Sequence, residues 1–89
     1  MLDETEEGEE LMLKDMKVPK LTESGSNIII KRILKRGGDL ISEDETIFEV
    51  ETEKANVELA SEYNGKIKKI FVKEDDEKEV GELLATIEI

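Results

Sequence analysis

The 89-residue sequence contains no cysteine and no histidine, and each absence removes a class of chemistry. Without cysteine there is no disulfide, no thiol nucleophile and no thiolate metal site, which favours a reducing compartment. Without histidine, the usual side chain for proton transfer at neutral pH and for zinc or copper ligation is also missing. The composition therefore predicts neither a self-contained enzyme nor a metal site.

Positive charge is scarce as well, because 24 acidic residues outnumber 13 basic ones and give a net charge of -11. Such a charge repels a phosphate backbone and an anionic membrane surface, so we expect neither nucleic acid nor a membrane as a partner. The longest apolar runs, such as residues 28–30, are far shorter than a membrane span, and the acidic start does not resemble a secretory signal. We expect a cytoplasmic protein, or one of the mitochondrial matrix if the source is eukaryotic.

The first segment of the chain differs in composition from the rest. Residues 1–16 hold seven acidic residues and a single base, Lys14, with few apolar residues to bury. This composition predicts a solvated, disordered tail over residues 1–15, followed by one small folded domain over residues 16–89.

The folded segment has the pattern of an all-β protein. Short alternating runs of Val, Ile and Leu are separated by turn motifs such as "ESGSN", "RGGD", "SEDE" and "KEDDEKEVG". Many short strands with closely spaced turns predict a sandwich or barrel. The acidic motifs lack the ordered ligand spacing of a calcium loop, so we interpret them as solvated turns.

The sequence also repeats itself at a distance of 37 residues. Identical residues coincide at this shift in pairs such as Ser24 with Ser61, Asp39 with Asp76 and Glu45 with Glu82. We therefore predict two similar halves, residues 17–53 and 54–89, related by an approximate two-fold axis. Lys54 stands at the junction of the halves, so we expect the turn at Lys54 and the chain termini to lie at opposite ends of the domain.

The junction itself, "FEVETEKANVEL" (residues 48–59), predicts a hairpin with Lys54 and Ala55 as its two central residues. In that register the inward pairs would be Thr52 with Val57 and Val50 with Leu59, and the outward pairs Glu53 with Asn56, Glu51 with Glu58 and Glu49 with Ala60. No Gly or Pro makes the turn, and a lysine at a hairpin tip is ordinarily only a solvated side chain. Its place between the halves, the acid before it and the small residue after it favour a functional role.

These residues resemble the lipoyl domains of the 2-oxo acid dehydrogenase complexes, in which a Glu/Asp-Lys-Ala triplet at a hairpin tip carries lipoic acid. The resemblance covers residues 16–89 and rests on "VPKLTES" (18–24), "KRGGDLISEDETIFEVETEKA" (35–55) and "VGELLATIE" (80–88), with Gly38 and Gly65 at the family's glycine positions. The chain departs from the family pattern where Ile28 and Asp75 replace frequent glycines and Glu62 replaces a frequent proline.

The resemblance implies a flattened barrel of two four-stranded antiparallel sheets whose function is acyl carriage rather than catalysis. Lipoic acid in amide linkage to Lys54 would accept an acyl group from a thiamine-diphosphate-dependent 2-oxo acid decarboxylase. It would deliver that group to coenzyme A at the acyltransferase and be reoxidised by dihydrolipoamide dehydrogenase. A lipoate ligase or lipoyl transferase would attach the cofactor.

Candidate recognition residues surround Lys54 in the sequence or occupy the family's motif positions. We expect recognition by the ligase or the partner enzymes to involve Glu53, Ala55, Glu51 and Glu49, the glycines Gly38 and Gly65, and the loop of residues 22–27 with Thr22, Glu23 and Ser24. Two alternatives stay open: a biotin carrier of the same fold, disfavoured because that family prefers Met on both sides of the lysine, and an unmodified β-sandwich used for protein contacts.

Overall fold

The structure is a computed structural model that describes residues 12–89, and every regular element in that range is a strand. The strands are β1 Leu13–Lys17, β2 Ile28–Ile33, β3 Leu40–Ile41, β4 Thr46–Glu51, β5 Asn56–Ala60, β6 Gly65–Ile70, β7 Glu77–Lys78 and β8 Leu83–Glu88. Most of the predicted tail lies outside the described residues, but residues 13–15 belong to β1. Residues 13–15, which the sequence assigned to the tail, are therefore part of a strand. Within residues 12–89 there is no helix long and apolar enough to cross a membrane.

The eight strands form two four-stranded sheets in which every neighbouring pair is antiparallel. The strand orders are β1-β8-β6-β3 and β5-β4-β2-β7. This arrangement confirms the fold class predicted from the sequence. Lys54 follows β4 and precedes β5, so the second sheet carries the candidate site at its edge.

The internal repeat is visible in the architecture. Strands β2, β3 and β4 begin 37 residues before β6, β7 and β8, and exchanging the halves converts one sheet order into the other. Backbone hydrogen bonds repeat as well: Leu34 N–H donates to the Ile47 carbonyl, and Phe71 N–H, 37 residues later, donates to the Leu84 carbonyl. The prediction of two similar halves is confirmed.

Four of the acidic residues that coincide in the repeat have a structural role in the turns. Each of these four accepts a hydrogen bond from the backbone N–H three residues earlier, at 2.8–2.9 Å: Asp39, Glu45, Asp76 and Glu82. A carboxylate that closes its own turn in this way replaces a backbone partner. Among residues 12–89 no group of three or more acidic side chains is placed to hold a metal ion.

The turn at Asp75 shows how the chain departs from the family pattern without changing the fold. Gly38 has φ 94° and its equivalent in the second half, Asp75, has φ 74°. This left-handed conformation is easiest for Gly, but Asp is one of the residues that tolerate it. The backbone of the turn is therefore retained although Asp75 replaces a glycine.

The hydrophobic core lies between the two sheets. Its fully buried side chains come from both halves, with β-branched residues dominant: Ile28, Ile30, Ile47, Phe48, Val50, Ile67, Leu84 and Ile87. Strict alternation fails in β4, where Ile47 and Phe48 are both buried, because the pairing with β5 shifts register between Thr46 and Phe48. The core thus holds β4 firmly up to the turn that carries Lys54.

Candidate functional site

Lys54 lies at the tip of a four-residue turn, residues 52–55, that is closed by the side chain of Thr52. The Thr52 hydroxyl donates to the Ala55 carbonyl at 2.8 Å and accepts from the N–H groups of Ala55 and Lys54 at 3.1 and 3.2 Å. The Thr52 N–H also donates to the Ala55 carbonyl at 2.9 Å. Thr52 is only 8% exposed, so one buried hydroxyl organises the backbone around an exposed lysine.

The two-residue turn and the register predicted from the sequence are wrong. The observed partners are Val50 with Val57, Glu51 with Asn56, Glu49 with Glu58 and Phe48 with Leu59. The pairing is displaced by two residues because Thr52 and Glu53 belong to the turn instead of continuing the ladder. Side chains alternate with a period of two, so this displacement leaves Val50 inward and Glu51 outward, as predicted.

Glu53, immediately before Lys54, is joined to a distant loop. Its two carboxylate oxygens accept hydrogen bonds from the hydroxyls of Ser24 at 2.9 Å and Ser26 at 2.7 Å. These bonds, first that from Ser26 and then that from Ser24, lower the pKa of the Glu53 carboxyl below its ordinary value. The expectation that residues 22–27 lie beside the lysine turn is confirmed.

The Lys54 side chain itself is exposed, and its ammonium group makes no ion pair or hydrogen bond with residues 12–89. The backbone of the turn is fixed by Thr52 and the preceding side chain is fixed by the serines. A primary amine presented in this way suits attachment of a group through an amide bond, because nothing in the described domain must be displaced to reach it.

The outer face of the lysine-bearing sheet is acidic but partly neutralised. Glu51 pairs with Lys31 and Glu49 with Arg32, each at 3.6 Å, while Glu58 lies directly beside Glu49 on the neighbouring strand. Glu51 and Glu49 are thus near the turn, as predicted, with their charges shared with β2. Exposed pairs of this kind add little stability, which leaves these side chains available for contacts with another protein.

Gly38 and Gly65 are not part of the lysine turn, although the sequence placed them among the recognition candidates. The Gly38 N–H donates to the carbonyl of Ile67 on β6, in the sheet that does not carry the lysine turn. A side chain at Gly65 would collide with the backbone carbonyl of Glu88. Both glycines therefore have backbone roles in the fold, and a role in recognition stays a prediction.

The remaining candidates, Thr22 and Glu23, lie in the loop beside the lysine turn, and neither forms a hydrogen bond with Glu53. The Thr22 hydroxyl lies 3.1 Å from that of Ser24 and accepts from the Ser26 N–H at 3.3 Å, while Glu23 is exposed. Sequence reasoning missed Thr52 and Ser26. Thr52 had a usable signal, since it is a polar residue at an inward position beside a turn, whereas Ser26 depends on the path of the loop.

The lysine turn lies at the opposite end of the domain from the first and last described residues. The Ile89 N–H donates to the Met12 carbonyl at 2.9 Å, so these two residues are adjacent. β1 starts there and leads to the loop that contacts Glu53. The first and last described residues therefore lie at one end of the domain and Lys54 at the other, as the repeat predicts.

Known proteins resemble this chain along nearly all of its described residues. Residues 14–87 match the biotin/lipoyl family model described as "Biotin-requiring enzyme". The dihydrolipoyllysine-residue succinyltransferase component of the 2-oxoglutarate dehydrogenase complex of Bacillus subtilis is 39% identical over 75 residues, which are 84% of this chain and 18% of that protein. The acetyltransferase component of the pyruvate dehydrogenase complex of Corynebacterium glutamicum is 38% identical over 82% of this chain and 11% of its own length. This chain thus spans about a fifth or less of these relatives.

A solved structure supports the same assignment. The solution structure of the lipoyl domain of the 2-oxoglutarate dehydrogenase complex from Azotobacter vinelandii superposes with a TM-score of 0.69 and 33% identity, over 82% of this chain and 92% of that domain. The shared fold, the family match and the lysine turn agree with one another. The chain therefore belongs to the biotinyl/lipoyl domain family, as a lipoyl domain of the type found in the acyltransferase components of 2-oxo acid dehydrogenase complexes.

Proposed function

We propose that this domain is a swinging-arm acyl carrier with lipoic acid attached to Lys54. The observation that carries the proposal is the combination of a rigid turn and a free amine: the Thr52 hydroxyl and the serine-bound Glu53 fix the backbone, while the Lys54 side chain is exposed. Attachment forms an amide between the neutral Lys54 amine and an activated lipoyl carboxyl carbon. The bond from that carbon to the activating group breaks, the activating group leaves with the electron pair, and the nitrogen loses one proton. A lipoate ligase or lipoyl transferase would supply the activated carboxyl.

The domain's own residues hold and present the lysine rather than react. When bound, the lipoyl group would supply a dithiolane that takes up an acyl group and passes it to coenzyme A. The strands β4 and β5 anchor the turn to the core through buried Val50 and Leu59. The partner enzymes would be a thiamine-diphosphate-dependent 2-oxo acid decarboxylase, the acyltransferase and dihydrolipoamide dehydrogenase, in the cytoplasm or mitochondrial matrix.

The test is intact-mass analysis of the protein from cells that are supplied with lipoate and express a lipoate ligase. We expect one lipoyl amide per chain, located on Lys54 by peptide mapping. Lys54→Arg keeps the charge but cannot form the amide, so it should stay unmodified, whereas the control Lys66→Arg should be modified like the parent. A lipoyl group on another lysine would refute the proposal.

The acyl-transfer step is tested separately, with the modified domain and purified decarboxylases specific for 2-oxoglutarate, pyruvate and a branched-chain 2-oxo acid. We expect reductive acylation of the modified parent by one of the three and none of the Lys54→Arg variant. Relatives named for two different oxo acids are 39% and 38% identical to this chain, so sequence identity does not distinguish their substrates. The decarboxylase that acylates the domain would identify the oxo acid.

A biotin carrier is the second candidate, because the matching family model bears the description "Biotin-requiring enzyme". The flanks of the lysine distinguish the two cofactors. Met in place of Glu53 and Ala55 should admit biotin and lower lipoylation, because the residues on either side of the lysine are the local difference between the two kinds of carrier. If both ligases treat this double variant like the parent, cofactor choice depends on other residues.

A further inference from the structure

The two-fold relation between the halves is broken at one place, the connection between β1 and β2. The residue Val18 and its equivalent Ser61 make the same pair of backbone hydrogen bonds, with Glu82 and Gly81 in one case and Glu45 and Asp44 in the other. From these matched points, residues 19–27 lead to β2, whereas residues 62–64 suffice to reach β6. The first half thus contains six additional residues, and they lie beside Lys54.

The longer connection, residues 19–27, is called the extended loop, and it has three attachments to the rest of the domain. Leu21 packs against the core near its start, and the Asn27 side-chain amide donates to Glu77 at 2.9 Å at its end. Between them, the side-chain hydrogen bonds that join the loop to another segment of residues 12–89 go from Ser24 and Ser26 to Glu53. Glu53 precedes Lys54 directly, so this attachment fixes the loop with respect to the lysine.

Both oxygens of the Glu53 carboxylate are used by this contact. The Ser24 hydroxyl donates to Oε2 and the Ser26 hydroxyl to Oε1, and the two serine hydroxyls are 2.6 Å apart. Hydrogen bonds to an ionised acceptor are stronger and more directional than neutral ones. The carboxylate therefore points to the loop, and its position depends on two hydroxyls 27 and 29 residues away in sequence.

We propose that Ser24 and Ser26 are positioning residues that act through Glu53 to fix the extended loop and the lysine turn as one recognition surface for the acyl-donating decarboxylase. The inference rests on the proposed carrier function. It assigns Glu53 an internal role, as the acceptor that joins two segments, in place of a direct contact with a partner. Attachment of the cofactor requires only the Thr52-closed turn and does not depend on the serines.

The experiment compares the Ser24→Ala/Ser26→Ala double variant with a Ser24→Thr/Ser26→Thr double variant, which retains the hydroxyls. Ser42→Ala is the matched control, since that serine is also exposed and its hydroxyl makes no hydrogen bond within residues 12–89. Each lipoylated protein is assayed for reductive acylation by the decarboxylase that accepts the parent, from the three specific for 2-oxoglutarate, pyruvate and a branched-chain 2-oxo acid. Modification of Lys54 is measured by intact mass.

We expect complete modification of every variant and a split between KM and kcat in the alanine double variant. Its KM for the domain should rise about three- to tenfold, the equivalent of one net hydrogen bond, while kcat changes less than about twofold. The threonine double variant and Ser42→Ala should have the KM of the parent. Amide exchange should accelerate at residues 22–27 and 53–55 in the alanine double variant and stay unchanged in both sheets.

The outcomes separate this inference from the function on which it rests. Unchanged KM in a fully modified alanine double variant overturns the positioning role and leaves the carrier function intact. A raised KM accompanied by faster exchange throughout both sheets also overturns it, because the serines would then stabilise the fold in general. A parent that no ligase modifies on Lys54 refutes the carrier function and, with it, this inference.

Discussion

Replacing Thr52 by Val tests whether one hydroxyl closes the lysine turn. Val keeps the shape of the 8% exposed side chain but removes the hydrogen bonds to the Ala55 carbonyl and from the Ala55 and Lys54 N–H groups. The Ala55 carbonyl keeps the Thr52 N–H as a partner, and the N–H of exposed Lys54 can turn to water. The loss should therefore be about 1–2 kcal/mol, less than full desolvation of three groups.

The assay is thermal unfolding followed by circular dichroism, with Thr86→Val as the control. A loss of 1 kcal/mol lowers Tm by about 4–8 °C in a domain of this size. Thr86 is half-buried on β8 and its hydroxyl makes no side-chain hydrogen bond within the described range, so its replacement should change stability by less than about 0.5 kcal/mol. If Thr52→Val melts at the same temperature as Thr86→Val, the hydroxyl does not stabilise the turn.

Four further predictions follow from the same geometry. Lys54→Ala removes an exposed side chain, so unfolding free energy should change by no more than about 0.5 kcal/mol while acyl transfer vanishes; early melting, or retained acylation, would contradict the carrier function. Val50→Ala and Leu59→Ala should each cost about 1–4 kcal/mol in denaturant unfolding, because both side chains are buried and would leave cavities; values near zero would show that β4 and β5 do not anchor the turn. Gly65→Ala should lower the free energy of unfolding by about 1–3 kcal/mol, because the new Cβ would collide with the Glu88 carbonyl. In the control Gly37→Ala the new Cβ would lie 3.5 Å from its nearest neighbour, the Lys68 carbonyl, so stability should change little; equal stability of the two variants would rule out the clash. The hydrogen bonds from Lys35 and then from the Ser42 backbone lower the pKa of the Glu45 carboxyl below 4.5, so the stability that ionised Glu45 adds is present above pH 4.5 and is lost as the pH falls through the folded-state pKa. In an acid titration, Glu45→Gln should therefore lose stability less steeply than the parent, and identical profiles would contradict this.

The sequence alone was sufficient for the fold class and the repeat, for a physical reason. Alternation of apolar and polar residues determines which face of a strand is buried, and a shift of 37 residues that superposes apolar positions implies two similar sets of strands. The acidic residues that coincide in the repeat, such as Asp39 and Asp76, close turns within three residues of their own position. Local interactions of this kind leave a readable signal in the order of residues.

Only the tertiary structure decided the register of the hairpin and the surroundings of Glu53. A period of two cannot distinguish pairings that differ by two residues, so the same alternation was compatible with a turn at Lys54–Ala55 and with the observed turn over residues 52–55. The bonds from Ser24 and Ser26 join residues 29 and 27 positions apart, and they depend on the path of a loop that is six residues longer than its counterpart in the second half. Contacts between distant segments require the packed sheets to bring them together. The sequence could therefore propose Lys54 as a candidate from its immediate neighbours, but it could not show that Ser24 and Ser26 bind Glu53.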